Sequence, residues 1–370
     1  MSSILESIVF TSPNKTILYK TIHMQQTITL KYIEQIIECE YHRVLRNNSG
    51  CFVSNGTMGV ALFMIWYGKN FNKVKYVEDG LSIIGVKCTH LTSNDSLDVH
   101  KGQVGIALGI LWLSLSGIIQ MPISGVLSHI DDNIFKKVSR ISDYSLNKNL
   151  DQLLDVACYV ALRLKYRSCT AMDDKIYSRF LSMLINYIYP DFYKMLQEEV
   201  YPGGYSYRLP RFIYLIQASF GNNFDNRLIR IIEEVQPLVL AQFPYMTANR
   251  LALANSIRLL AHTQHLCYRW GKHATMLVES IGVEELEEEY KTNQMSLYDG
   301  MGWFALQLLI LRKLRCNVKI EVWDYVRSRL KRTSYIQVSH KELCEHNFVG
   351  LYGILGLFFV ELNLNKDKYD

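Results

Sequence analysis

The segment Lys101-Gly102-Gln103-Val104-Gly105 leads directly into an apolar run that extends to Leu115, and this pattern decides the fold. A helix that is apolar on every side must be buried. Similar loops of small residues precede four other apolar runs of the chain, at Asn55–Gly59, Pro202–Gly204, Asp299–Gly302 and Val349–Gly353. The recurrence predicts a series of buried helices that begin at glycine-containing turns, because glycine allows sharp turns and close backbone approach.

Charged, amphipathic segments alternate with these apolar runs. They are Ile28–Cys39, Leu150–Leu164, Arg227–Leu240 and Ile320–Leu330. The apolar helices are expected to begin near residues 56, 102, 204, 247, 300 and 350, and this spacing of roughly fifty residues suits one helix pair with two loops. We therefore predict an all-α fold, an (α/α) toroid of six to seven helix-pair repeats with inner apolar helices and outer amphipathic helices. An open superhelix is the alternative arrangement.

The repeats predict one domain over residues 1–370, with an N-terminal helical segment at 1–50, repeats at 51–362 and a polar tail at 363–370. The interval between 102 and 204 spans about two periods, so it holds either a degenerate seventh unit near Asn149–Asp155 or an insertion. In a closed ring, parallel inner helices would bring their N-termini to one end. Their first N–H groups would be open there and their positive dipole ends would line one cavity, where we expect the functional surface.

Composition argues against several classes of protein. The net charge of +5 is modest and the Lys and Arg residues are scattered, which does not indicate nucleic-acid binding. No apolar run reaches the ~20 residues that a membrane-spanning helix needs, and the first residues show no signal-peptide pattern. The eight cysteines have no C-x-x-C spacing, so we expect reduced, inert thiols and a cytoplasmic protein.

The glycine loops resemble those of the lanthionine synthetase C-like family over about Gly56 to Leu362. That family folds as an α/α toroid, and its known members are zinc enzymes that add cysteine thiols to dehydrated Ser and Thr residues of a precursor peptide. The segment Asp98-Val99-His100-Lys101-Gly102-Gln103-Val104-Gly105 is similar to the family's D-V-I-x-G-x-x-G loop, whose aspartate lies in the active site. The resemblance implies that Asp98 is catalytic, although aspartate is also a common helix cap.

The other family motifs are altered in this chain. Tyr207 stands where the G-x-A-H-G-x-x-G loop has a histidine proposed as acid/base, and a tyrosine with an ordinary pKa of about 10 would not replace that base near neutrality. Aligned by period, Pro244, Tyr298 and Asp299 stand where the family's W-C-Y-G-x-x-G and C-H-G loops hold zinc. Tyr268–Gly271 offers a competing register for the first zinc loop, but it leaves too little room for a helix pair. We therefore expect no zinc and no other cofactor, since one carboxylate does not make a zinc site.

Polar and aromatic residues at the helix starts form the predicted binding cavity, which comprises His100, Arg208, Tyr245, Tyr298, Asp299 and His346. Tyrosine rings suit a wet cavity that holds a peptide or sugar, but they could equally fill a wide core. The favoured hypothesis is a non-catalytic toroid that binds a peptide substrate or partner protein of a lantibiotic-type peptide-modification system. One alternative is a metal-free enzyme such as a glycoside hydrolase that uses Asp98 and Asp299, and another is a residual thioether cyclase with a differently placed metal.

Overall fold

The computed structural model describes residues 23–46, 50–88, 91–92, 95–120, 123–140, 150–166, 171–198, 206–264, 266–291, 295–316, 318–331, 339–346 and 348–365. These residues contain sixteen helices and no strand, which confirms the all-α prediction. The helices are α1 (His23–Arg46), α2 (Thr57–Asn70), α3 (Val74–Cys88), α4 (Gln103–Leu115), α5 (Ile123–Val138), α6 (Leu150–Lys165), α7 (Ala171–Gln197), α8 (Arg208–Ser219), α9 (Asp225–Ala241), α10 (Thr247–Thr263), α11 (Tyr268–Glu279), α12 (Val283–Glu289), α13 (Met301–Lys313), α14 (Ile320–Lys331), α15 (His340–Glu345) and α16 (Ile354–Asn365).

Seven of these helices are buried along most of their length: α2, α4, α6, α8, α10, α13 and α16. The predicted starts at 56, 102, 204, 247, 300 and 350 correspond to observed starts at 57, 103, 208, 247, 301 and 354. Helix α9 shows the other pattern, since burial is confined to Leu228, Ile231, Ile232, Val235 and Val239. That spacing is the apolar stripe of an amphipathic helix, as predicted for Arg227–Leu240.

Helix α6 corrects one sequence prediction. The sequence predicts an amphipathic outer helix at Leu150–Leu164, but this is wrong, because every residue from Leu153 to Leu164 is buried. The charges on α6 are compensated inside the protein: Arg163 bonds Asp131 of α5 at 2.8 Å, and Asp155 bonds Arg211 of α8. A buried helix paired with α7 matches the seventh unit considered for this interval better than an insertion, although Asn149 itself lies outside the described residues.

The buried helices contact one another in chain order: α2 with α4, α4 with α6, α6 with α8, α8 with α10, α10 with α13, and α13 with α16. The last of them, α16, contacts α2 again. Other helices pack against this set, with α1 and α3 on α2, α5 on α4, α7 on α6, α9 on α8, α11 and α12 on α10, and α14 on α16. One core of apolar side chains runs through all the buried helices. Within the described residues, no helix has the length and apolar character to cross a membrane.

Two glycines show why buried helices in this chain start with this residue. A Cβ atom on Gly59 would lie 2.0 Å from the carbonyl oxygen of Val53, and one on Gly105 would lie 1.8 Å from that of Val99. In both places the loop before the helix folds back across the first turn, which leaves no space for a side chain. The close backbone approach predicted for the glycines is therefore confirmed, and the backbone that approaches belongs to the preceding loop.

The prediction of open N–H groups at the helix starts is wrong at four of the buried helices. The N–H groups of Gly59 in α2, Gln103 in α4 and Trp303 in α13 donate to carbonyls of the preceding loops, at 3.1, 2.8 and 3.2 Å. At the start of α10, the N–H of Thr247 donates to the carboxylate of Glu289 at 2.8 Å. The folded-back loops and this carboxylate thus occupy donors that an anionic ligand would need.

Candidate functional site

Backbone hydrogen bonds tie together the loops that begin four of the buried helices. The N–H of Val53, before α2, donates to the carbonyl of His100, before α4, at 3.2 Å. The N–H of Tyr352, before α16, donates to the carbonyl of Ser54 at 3.0 Å. The carbonyl of Tyr352 accepts from the N–H of Leu297, before α13, at 3.1 Å. These loops therefore lie side by side and bring together residues that are far apart in the chain.

Four half-buried side chains meet at these loops, and we call them the loop cluster: His100, Ser206, Tyr298 and Tyr352. A hydrogen bond of 2.5 Å joins His100 Nδ1 to the Tyr352 hydroxyl, and one of 2.8 Å joins the Tyr298 hydroxyl to Ser206 Oγ. The His100 ring stands edge-on to both tyrosines, with ring centroids 5.1 Å from Tyr298 and 5.2 Å from Tyr352. Because Ser206 precedes α8, the loop cluster joins the starts of α4, α8, α13 and α16.

Two members of the loop cluster, His100 and Tyr352, are uncharged near neutral pH. Burial lowers the pKa of His100 from 6.5 to about 4, because desolvation disfavours the imidazolium, and the negative charge of Asp98 only partly opposes this effect. Burial also raises the pKa of Tyr352 well above its usual value, so its phenol stays protonated. A neutral imidazole beside a neutral phenol can bind uncharged polar groups. It is poorly suited to general-base chemistry, because the charged conjugate acid of His100 is disfavoured.

Asp98 holds its own loop in place. Its Oδ1 atom accepts hydrogen bonds from the N–H groups of His100 at 2.7 Å and Lys101 at 2.8 Å. This carboxylate caps the turn before α4, whereas the N-cap of the helix itself is Gly102. Asp98 therefore positions His100 through the backbone. A catalytic role for Asp98 stays a prediction.

Asp299 is half-buried just before α13, next to Tyr298 of the loop cluster. Burial raises the pKa of Tyr290 at the end of α12, and the charge of Asp299 adds a smaller contribution in the same direction. The Asp299 carboxylate therefore lies close enough to Tyr290 to affect its pKa, and it also follows Tyr298 of the loop cluster. The pairing of Asp98 with Asp299 as two catalytic carboxylates stays a prediction.

Arg208 belongs to an ion-pair network between α6 and α8. Its guanidinium bonds both carboxylate oxygens of Asp151, at 2.9 and 2.5 Å. Arg211 bonds Asp151 at 3.1 Å and also bonds Asp155. The charges of Arg211 and Asp151 affect the pKa of His100, so the network lies near the loop cluster. Arg208 is consequently held by the carboxylate of Asp151 at the edge of the candidate site.

A narrow pocket, with room for about one water molecule, lies among α8, α10 and α13. Its walls are Tyr207, Pro210, Arg211, Ala252, Asn255, Ser256, Leu259, Trp303, Gln307 and Ile310. Tyr207, predicted from the sequence as a site residue, is only 2% exposed and forms part of this wall. Its burial places it beside the pocket and one residue after Ser206 of the loop cluster.

The pocket wall contains two side-chain amides, those of Asn255 and Gln307, that were not predicted from the sequence as site residues. Nδ2 of Asn255 donates to the backbone carbonyl of Gln307 at 2.9 Å and to its Oε1 atom at 3.1 Å. The backbone carbonyl fixes this orientation, so Asn255 Oδ1 and Gln307 Nε2 are left without a hydrogen-bond partner among the described residues. Each residue is 2% exposed. For Gln307, a polar amide inside the apolar stretch of α13 is the sequence signal that could have identified it, because buried polar groups need partners.

The exposed side chains of Tyr245 and His346 do not belong to the loop cluster. Tyr245 is 89% exposed at the turn before α10, and His346 is exposed at the end of α15. Pro244 lies in the same turn, three residues before α10 begins at Thr247. The competing register at Tyr268–Gly271 falls inside α11, which is an amphipathic helix. Placement of the α10 start by period is therefore confirmed.

No protein-family model matches the chain, and no curated protein matches it at a significant level. The interpretation of the site therefore rests on the geometry of its own residues.

Proposed function

We propose that the chain is a lanthionine synthetase C-like (α/α) toroid of seven helix pairs that binds a peptide at the loop cluster. The proposal of a closed ring is supported by the order of contacts, since each buried helix contacts the next and α16 contacts α2. It is also supported by the backbone hydrogen bonds that join the loops before α2, α4, α13 and α16. An open superhelix would leave its first and last helices apart.

The observation that carries the peptide proposal is the composition of the loop cluster. The rings of His100, Tyr298 and Tyr352 have their centroids within 6.2 Å of one another, and these residues remain half-buried. Rings of this kind contact apolar side chains while their polar atoms bond amides. The neutral state of His100 suits uncharged peptide groups better than a phosphate or carboxylate.

The proposed toroid does not use the zinc chemistry of the family. Proline has no donor atom in its side chain, so Pro244 cannot replace a zinc ligand. Tyr298 hydrogen-bonds Ser206 and contacts the edge of His100, which is a role in the loop cluster. Asp299 alone would not form a site of three protein ligands. We infer that the bound peptide comes from a peptide-modification system and is recognised without being cyclised by this chain.

Selection from a displayed random-peptide library tests the proposal. Peptides enriched on the wild-type protein should bind Tyr298→Ala at least about tenfold more weakly, which corresponds to about 1.4 kcal/mol for one lost aromatic contact. Tyr268→Ala is the matched control, because Tyr268 is 77% exposed on α11. Its affinity for the same peptides should equal that of the wild type. Failure to enrich any peptide, or equal binding to the Tyr298→Ala variant, would contradict peptide binding at the loop cluster.

A further inference from the structure

A second group of polar side chains lies between α1 and α15. Glu40 on α1 is fully buried, and its Oε1 atom lies 2.6 Å from Nε2 of His340 on α15. Cys344 follows one helical turn after His340, and its Sγ atom lies 3.8 Å from Nδ1 and 3.9 Å from Nε2 of that histidine. One oxygen, one nitrogen and one sulfur atom thus lie within 4.8 Å of one another.

The second oxygen of Glu40 is held by groups outside this trio. Oε2 accepts a hydrogen bond from the N–H of Gly350 at 2.8 Å and from Nη2 of Arg43 at 2.8 Å. Oε1 itself accepts a further hydrogen bond from Nε of Arg43 at 3.0 Å, and together these bonds hold the carboxylate so that Oε1 faces His340. Groups that orient a ligand in this way are a regular feature of metal sites, because they hold the ligand ready before the ion binds.

Small movements of the three side chains would bring their ligand atoms to the separations found around a tetrahedral zinc ion. Bonds of about 2.0 Å to nitrogen and oxygen and about 2.3 Å to sulfur separate the ligand atoms by about 3.3 to 3.6 Å. Glu40 Oε1 and His340 Nε2, which are 2.6 Å apart, would need to separate by less than about 1 Å. Cys344 Sγ, which is 3.9 Å from Nε2 and within 4.8 Å of Oε1, would need to move closer to these atoms by up to about 1.3 Å. The ion would displace the thiol proton of Cys344 and the proton shared by His340 and Glu40.

A cysteine protease arrangement fits these residues less well. Cys344 Sγ is almost equally distant from both ring nitrogens of His340, so it does not point along the lone pair of either. A zinc ion does not require the sulfur to lie along a nitrogen lone pair, because the ion bonds to each ligand atom separately.

We propose that Glu40, His340 and Cys344 bind one zinc ion, with water in the fourth position. The site is separate from Pro244, Tyr298 and Asp299. It links α1 and α15 to Gly350, which begins the loop that carries Tyr352 of the loop cluster. An ion bound here would therefore brace one side of the peptide site through the backbone. The proposal of zinc binding does not rest on the proposed peptide function.

The full-length protein, stripped with a chelator and titrated with zinc alone, tests this site. We expect one equivalent of zinc by elemental mass spectrometry and a rise in Tm, because an ion that binds only the native state stabilises it. Cobalt in place of zinc should give the near-ultraviolet absorption of a thiolate–cobalt bond. Cys344→Ser should weaken zinc binding by about 100-fold or more and remove that absorption. Cys267→Ser, which alters an exposed thiol on another part of the molecule, should behave as the wild type.

A His340→Gln variant provides a second ligand change, checked for native helicity by circular dichroism. The proposed site is overturned if the wild type binds no zinc. It is also overturned if Cys344→Ser and His340→Gln bind zinc as tightly as the wild type does. Zinc that is retained at one equivalent in both variants would also overturn the proposed absence of zinc among Pro244, Tyr298 and Asp299. The two proposals therefore fail in different ways.

Discussion

Replacing Glu361 by Gln should stabilise the protein at pH 8 and leave its stability almost unchanged at pH 4. Glu361 lies on α16, where burial raises the pKa of its carboxyl from 4.5 to about 7 despite the opposing charge of Lys331. In the unfolded chain this carboxyl ionises near pH 4.5. Between pH 4.5 and 7 the unfolded chain therefore loses a proton that the folded protein keeps, and the free energy of unfolding falls as the pH rises.

The size of the effect follows from the shift in pKa. Each unit corresponds to about 1.4 kcal/mol, so a change from 4.5 to about 7 corresponds to about 3 kcal/mol above pH 7. Glu361 is only partly buried, and solvent screening reduces the expected penalty to about 2 kcal/mol. A glutamine keeps the shape and the neutral state that the folded protein prefers. It should therefore recover most of that free energy at pH 8 and none at pH 4.

Urea unfolding followed by circular dichroism at pH 4, 6 and 8 provides the assay. The difference between wild type and Glu361→Gln isolates this carboxyl from other groups that titrate in the same range. Glu345→Gln, on an exposed side chain of α15, is the matched control and should show no gain at any pH. The reasoning fails if Glu361→Gln has the same stability as the wild type at pH 8, or if its gain at pH 4 is as large as at pH 8.

Three further predictions concern packing and chemistry elsewhere. Gly105→Ala should lower the free energy of unfolding, measured by urea unfolding, by about 2–4 kcal/mol, because its Cβ atom would collide with a backbone carbonyl. Gly271→Ala should raise that free energy by up to about 1 kcal/mol, because nothing lies within 4 Å of the added Cβ atom. Asp155→Asn should cost about 3 kcal/mol in the same assay, because it leaves a buried arginine of α8 without one of its countercharges; an unchanged midpoint would contradict this. The Cys88 thiol, with a pKa raised by burial to about 12, should react with iodoacetamide at pH 8 much more slowly than exposed Cys267, and equal labelling by peptide mass spectrometry would refute it.

Helix positions were predictable because they depend on local pattern. A glycine loop marks the starts of α2, α4 and α13, whereas the period alone places α10, and all four helices begin within one residue of the expected place. The sequence shows that glycine recurs at the starts of α2, α4 and α13, and the structure shows why. The preceding loop passes over the first turn of the helix and leaves no space for a side chain. The same loops then satisfy the N–H groups that the sequence left open. These hydrogen bonds depend on the path of the loop, and the pattern of apolar residues in the helix does not specify that path.

Helix α6 shows where the periodic pattern misleads. Its charged residues give it the appearance of a surface helix, because charge is usually a sign of exposure. Asp155 and Arg163 are nevertheless buried, since their partners Arg211 and Asp131 lie on other helices. A charge that is compensated by a distant residue cannot be recognised from one segment alone. The burial of α6 could therefore not be predicted from the sequence, whereas the presence of a helix there could.

The candidate site was predicted in part for a similar reason. His100 and Tyr298 were identified because they lie in the helix-start loops, and the folded chain brings them together with Tyr352. Tyr245 and His346 occupy equivalent loops but point into solvent, because position in a loop does not determine the direction of a side chain. Direction depends on how the loops pack, which is a tertiary property.

Hydrogen–deuterium exchange of the protein with and without a selected peptide tests peptide binding at the loop cluster most directly. A peptide bound there should slow exchange in residues 95–102, 296–300 and 348–353, which carry His100, Tyr298 and Tyr352. Exchange in the amphipathic helices α9 and α11 should not change. Slowed exchange confined to α9 and α11, with the three loop segments unaffected, would contradict a binding site at the converging loops.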